Sequence, residues 1–135
     1  MKAFTPYLNF NGDTREAMTF YAKCFDAQVN IQTFGDVGMD QTEGSTDRTV
    51  HARLENGSAV LMASDTQAGQ EVHRGDDYWV NAESETVEEQ AKAFAALSEG
   101  GKVLMELQDT FWGARFGMLK DKFGVNWMFN HELKK

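Results

Sequence analysis

The chain has 135 residues, and 13 Lys and Arg against 21 Asp and Glu give a formal charge of −8 at neutral pH, with 41% hydrophobic and 12% aromatic residues. That length supports one domain with a real core rather than a disordered chain, and no apolar run approaches the ~18–20 residues of a membrane span. The acidic balance argues against nucleic acid as a partner, because phosphate contacts need clustered Lys and Arg.

In chain order, Phe4–Phe10 reads as a first strand. Asp13-Thr14-Arg15-Glu16 then opens a helix, an Asp N-cap with Glu three residues on. Ala17, Phe20, Tyr21, Cys24 and Phe25 continue it as an apolar stripe at helical spacing. Gln28–Phe34 is the next strand. Phe34–Asp47 follows, with Gly35, Gly38 and Gly44 among acidic residues, and is either a flap over a site or an acidic solvated loop. Thr49–Glu55 alternates Thr49, His51, Arg53 and Glu55 with Val50, Ala52 and Leu54, a half-buried strand. Asn56-Gly57 is a hairpin turn and returns the chain through Ser58–Ser64.

Thr66–Asp76 is polar, contains Gly69 and Gly75, and reads as a linker between modules of about 1–65 and 77–135 in a single domain. Tyr78–Ala82 begins the second half. Thr86-Val87-Glu88-Glu89 caps a second helix whose apolar positions are Val87, Ala91, Phe94, Ala95 and Ser98, ended by Gly100-Gly101. Lys102–Leu107 is a strand, and Arg115–Lys120 and Val125–Asn130 form a closing hairpin turned at Asp121–Gly124. A shift of 74 residues pairs Ala17 with Ala91, Phe20 with Phe94, Ala22 with Ala96 and Val29 with Val103. The order is βαβββ twice, an α+β fold. Each module carries a helix on one sheet face, and two modules side by side curl the other face into a cup suited to a small ligand. Thr49, His51 and Arg53 then either line that cup or face water.

The lone Cys24 cannot form an internal disulfide, and Met1–Pro6 has no apolar core for a secretory leader, so a reducing cytoplasm is expected. No Gly-x-x-x-x-Gly-Lys-Ser/Thr, Gly-x-Gly-x-x-Gly or Gly-x-Ser-x-Gly pattern occurs, which removes those nucleotide sites and that nucleophile elbow. Cys24 sits on the first helix's apolar stripe as a packing residue.

Pro6-Tyr7-Leu8-Asn9-Phe10-Asn11-Gly12 running into Glu16–Tyr21, with Val50–Leu54, Leu61–Asp65, Leu107–Gly113 and Lys120–Trp127, resembles the PhnB-like subfamily of the vicinal oxygen chelate superfamily. That superfamily includes glyoxalase I, extradiol dioxygenases and bleomycin-resistance proteins. The Gln108-Asp109-Thr110-Phe111-Trp112-Gly113 segment is the most specific part. The resemblance implies the cup-shaped glyoxalase fold, a homodimer, and a divalent metal held by His, Glu or Gln on the first and fourth strands of each module. Those places fall at or beside Pro6, Met62, Tyr78 and Met128, none of which is a His, Asp or Glu. No glyoxalase-type metal and no other cofactor is therefore expected. Nor does anything resemble a methyl-donor site, although relatives carry a demethylubiquinone methyltransferase label.

The expected function is binding of a small molecule by His51, Arg53, Asn126 and Met128, with the aromatic loop at Trp112 as a gate. An imidazole such as that of His51 suits a general base or an anion ligand. Arg53 on the same face suits a carboxylate or phosphate. The rival is a lyase or isomerase in which His51 or Glu106 moves a proton, and a third reading is a purely structural dimer module. Arg115 is expected to pair with Asp109 or Glu106, and Trp127 and Phe129 to be core.

Overall fold

The alternation and the helical stripes build two runs of the same five elements. The computed structural model describes residues 1–133, and the chain divides into two units, Met1–His73 and the chain from Arg74 onward. The first contains β1 (Tyr7–Phe10), α1 (Thr14–Cys24), β2 (Gln28–Thr33), β3 (Thr49–Asn56) and β4 (Ala59–Asp65). The second contains β5 (Val80–Glu83), α2 (Val87–Leu97), β6 (Lys102–Asp109), β7 (Ala114–Lys120) and β8 (Asn126–Glu132). The sheets are ordered β1-β4-β3-β2 and β5-β8-β7-β6. In each the first strand lies parallel to the fourth and the remaining pairs are antiparallel. This is the α+β arrangement that the repeat indicated. No described helix is long and apolar enough to cross a membrane.

In the first unit α1 packs on β2, β3 and β4. It buries Thr14, Ala17, Met18, Tyr21 and Cys24 against Leu8, Phe10, Ala52, Leu54, Leu61 and Ala63. Its N-terminal cap differs from expectation. The Asp13 side chain makes no capping bond. Asp65, at the end of β4, takes that role instead: Oδ1 accepts from the backbone N–H of Thr14 at 3.0 Å, from Thr14 Oγ1 at 2.7 Å and from the Gly12 N–H at 2.9 Å. Its other oxygen accepts from the Thr49 N–H at 2.9 Å. A carboxylate from another element thus satisfies the orphan donor of the first turn.

That last bond also corrects the reading of β3. Gln32 pairs with His51 but Thr33 pairs with Thr49, so one extra residue bulges the strand there. Thr49 leaves the face of His51 and Arg53 and is only 1% exposed. At the β3–β4 turn, Asn56 pairs with Ala59 and Gly57 supplies the positive φ of 59°. The Asn56 amide is used elsewhere, donating to the carbonyl of Phe25 at 2.9 Å.

In the second unit α2 packs on β8 and buries Gln90, Ala93, Phe94 and Leu97. The expected stripe was rotated from this one, since Val87, Ala91 and Ala95 are exposed. The reason is Gln90: its Nε2 donates to the carbonyl of Arg115 at 2.9 Å, which lets a polar side chain occupy the inner face. Thr86 caps as expected, its Oγ1 accepting from the Glu89 N–H at 3.0 Å, while Glu89 accepts from the Glu85 N–H at 2.8 Å. Phe94 meets Phe129 edge-on at 5.3 Å between ring centroids. Gly117 makes room beneath: a Cβ there would stand 3.0 Å from the Phe94 ring and 2.9 Å from Leu107. Trp127 and Phe129 are buried as expected, and the indole N–H donates to the buried Asp121 at 2.9 Å.

Two strands begin later than the sequence suggests. Phe4 and Pro6 precede β1, and Tyr78 and Trp79 precede β5. Pro6 has no N–H to give a ladder and contributes only its carbonyl, which accepts from Met62 at 3.1 Å.

Candidate functional site

Each sheet has one face under its helix and one face free of it. On the free face of the first sheet the register sets Tyr7 beside Met62, Met62 beside Arg53 and Arg53 beside Asn30. His51 stands two residues from Arg53 on the same side and pairs with Gln32. The hydroxyl of Tyr7 lies 3.4 Å from His51 Nδ1, with the two rings 6.0 Å apart. Arg53 is ion-paired with Glu55 and lies 3.9 Å from the sulfur of Met62. Both members of the ion pair are about half exposed. Such a pair contributes roughly 0–1 kcal/mol, so an incoming carboxylate competes for the guanidinium on even terms. Period-two alternation placed His51 and Arg53 on this face. Tyr7 was missed as a site residue because β1 is four residues long and shows little pattern of its own.

On the free face of the second sheet the register sets Asn81 beside Met128, Met128 beside Met118, and Met118 beside Met105. One row along stand Glu83, Asn130, Phe116 and Gln108. Glu83 accepts from the amide of Asn130 at 3.0 Å and from that of Asn81 at 3.1 Å. Met128 is half-buried on this face as expected. Asn126 is not available in the same way. It is 2% exposed, its amide donates to the carbonyl of Gly75 at 3.1 Å, and its backbone N–H donates to the Tyr78 hydroxyl at 3.2 Å. It holds the segment before β5.

The β6–β7 turn carries the aromatic loop. Phe111 is 97% and Trp112 54% exposed. Their rings meet edge-on at 5.2 Å, and Trp112 meets Phe116 at 5.6 Å, so the indole leans toward the free face of its own sheet. Arg115 pairs with Asp109 at 3.7 Å. Glu106 is exposed on the edge strand β6, inside the irregular stretch between Met105 and Gln108. The segment after β2 is pinned at several points: Asp36 accepts from the Thr33 N–H at 2.9 Å, and Gly35 donates to the carbonyl of Thr46 at 3.0 Å. The backbone N–H and then the side chain of Thr33 hold the Asp36 carboxyl below the usual range.

The positions where the strands could present metal donors carry Tyr7 and Met62 in the first unit and Asn81 and Met128 in the second. The expected Pro6 and Tyr78 fall outside the strands. Two thioethers and a phenol, with a single carboxamide oxygen, do not make the donor set of a hard divalent ion that wants imidazole or carboxylate. Among the described residues no three His, Cys, Asp or Glu side chains gather as a metal-binding group. His131 is engaged with the carbonyl of Ser84 at 2.7 Å, and His73 lies near Glu71.

A model of the Glyoxalase/Bleomycin resistance protein/Dioxygenase superfamily matches residues 5–129. Protein YjdN of Escherichia coli K12 is 30% identical over 138 residues, covering 93% of this chain and 92% of its own length. Among solved structures, protein PA1353 from Pseudomonas aeruginosa is similar with a TM-score of 0.87 at 37% identity, covering 99% of this chain and 100% of its own. The PhnB protein from Bacillus cereus is similar with a TM-score of 0.78 at 26% identity, over 96% of this chain and 99% of its own.

Proposed function

The chain belongs to the Glyoxalase/Bleomycin resistance protein/Dioxygenase superfamily, and on that premise we propose that it is a PhnB-like protein that binds a small anionic molecule as a homodimer, without a glyoxalase-type metal. The observation that carries this reading is the free face of the first sheet. There His51, Tyr7 and Arg53 place an imidazole, a phenol and a guanidinium on β3 and β1, the two strands that flank β4. Arg53 binds carboxylate or phosphonate oxygens in fork geometry, and the Tyr7 and His51 pair supplies a donor for a neighbouring carbonyl. Met62, beside Arg53 on the same face, is an adaptable apolar contact.

The test is thermal stability of the metal-free protein with pyruvate and with methylphosphonate. A ligand bound only by the folded state raises the melting temperature with concentration. That rise is expected for the wild type and absent in the double variant His51→Ala, Arg53→Ala, whose own melting temperature without ligand stays close to the wild type. An undiminished rise in the double variant defeats the assignment. Sedimentation equilibrium is expected to give twice the chain mass of 15.2 kDa.

The contact between Tyr7 and His51 favours one second reading, a lyase or isomerase in which His51 moves a proton and Tyr7 fixes its tautomer. Glu106, exposed on the irregular edge strand β6, is the weaker candidate. Turnover of an α-oxo acid or phosphonate that His51→Ala abolishes selects this reading over pure binding.

A further inference from the structure

Three of the chain's seven methionines stand in one row across the second sheet. Met105 is the cross-strand partner of Met118, and Met118 is the partner of Met128. Met118 and Met128 lie on the face away from α2, because their neighbours Leu119, Trp127 and Phe129 point to the buried side, and Met105 shares that face as the cross-strand partner of Met118. Neighbouring strands lie about 4.8 Å apart. The outer two methionines therefore stand one strand spacing to either side of the middle one. With three rotatable bonds each, their sulfurs can converge above Met118. Met118 and Met128 are half-buried and Met105 is exposed, so the row is open to a solute.

The chemistry of this row differs from that of the first sheet. A thioether is a neutral, soft donor, poor for Mg²⁺, Mn²⁺ or Zn²⁺ and good for Cu⁺. The surroundings suit a cation. Asn81 ends the row, with Glu83 two residues on and hydrogen-bonded to it. The rings of Phe116 and Trp112 stand at the side of the row, Phe116 two residues from Met118 on the same strand. The chain as a whole carries −8, which draws cations toward it.

We propose that Met105, Met118 and Met128 form a binding site for one soft monovalent cation, Cu⁺ or its redox-inert analogue Ag⁺, on the free face of the second sheet. This goes beyond the binding of an organic anion and uses neither His51 nor Arg53. Binding releases no proton, since thioethers do not titrate. The affinity is therefore flat between pH 5 and 7, where a histidine site weakens as its imidazoles protonate.

The test is a titration of Ag⁺, in chloride-free buffer, into protein labelled with ¹³C at the methionine methyls. The methyl signals of Met105, Met118 and Met128 are expected to move together and saturate at one equivalent, while those of Met39 and Met62 stay in place. Met118→Leu preserves volume and is expected to weaken Ag⁺ binding at least tenfold with the melting temperature nearly unchanged. Cys24→Ala and His51→Ala are expected to bind Ag⁺ as the wild type does. Movement of all the methionines alike, undiminished binding by Met118→Leu, or loss of binding in Cys24→Ala or His51→Ala overturns the site. Those outcomes leave the pyruvate and methylphosphonate response untouched, so the two proposals fail separately.

Discussion

Asp65 joins three parts of the first unit through one carboxylate. It is 5% exposed, yet it accepts from the loop before α1, from the first turn of α1 and from the start of β3. Two backbone N–H groups and the Thr14 hydroxyl are buried with it, and each buried donor left unpaired costs roughly 1–3 kcal/mol. Asp65→Ala is therefore expected to destabilise the protein by about 3–5 kcal/mol, read as a lower urea midpoint at unchanged slope. The same residue explains why Thr49 could not be placed from its strand pattern. Alternation sets Thr49 with His51, but the bond from the Thr49 N–H to Asp65 accompanies a bulge that moves it to the buried side. His51 and Arg53 lie beyond the bulge, and for them the period of two holds.

At the scale of elements, the two helices are started by different means. The N-terminus of α2 is capped within its own sequence by Thr86, whereas Asp13, equally suited by residue type, leaves α1 to be capped by Asp65. Thr86→Ala is expected to lower stability by about 1 kcal/mol, and Asp13→Ala by no more than a few tenths, both measured by urea unfolding. The existence and order of the elements were legible because hydrophobic period and local turn chemistry are properties of neighbouring residues. The inner face of α2 was not, because the burial of Gln90 depends on the carbonyl of Arg115, 25 residues away. The strand start at Phe4 was misread for a local reason, since Pro6 breaks the ladder. The burial of Asn126 was not legible because its partner, the Gly75 carbonyl, lies in a segment without period.

For the whole molecule, the donor chemistry of both sheets leads to a simple expectation about divalent metals. Dialysis against EDTA, followed by Ni²⁺, Zn²⁺, Mn²⁺ or Fe²⁺, is expected to leave the melting temperature where it was. A rise that saturates with one of these ions contradicts it, because an ion held only by the folded state stabilises by mass action. The family was legible from motifs spread along the chain, and the matched region, residues 5–129, bears this out. The contrast in helix capping carries over to the order of folding events. An 11-residue helix is marginal alone, and α1 receives its cap only when a residue 51 positions later has arrived, while α2 carries its own. The segment of α2 can thus nucleate early, and α1 must wait for closure of a long loop. In stopped-flow experiments Thr86→Ala is expected to slow refolding, whereas Asp65→Ala leaves the refolding rate nearly unchanged and speeds unfolding.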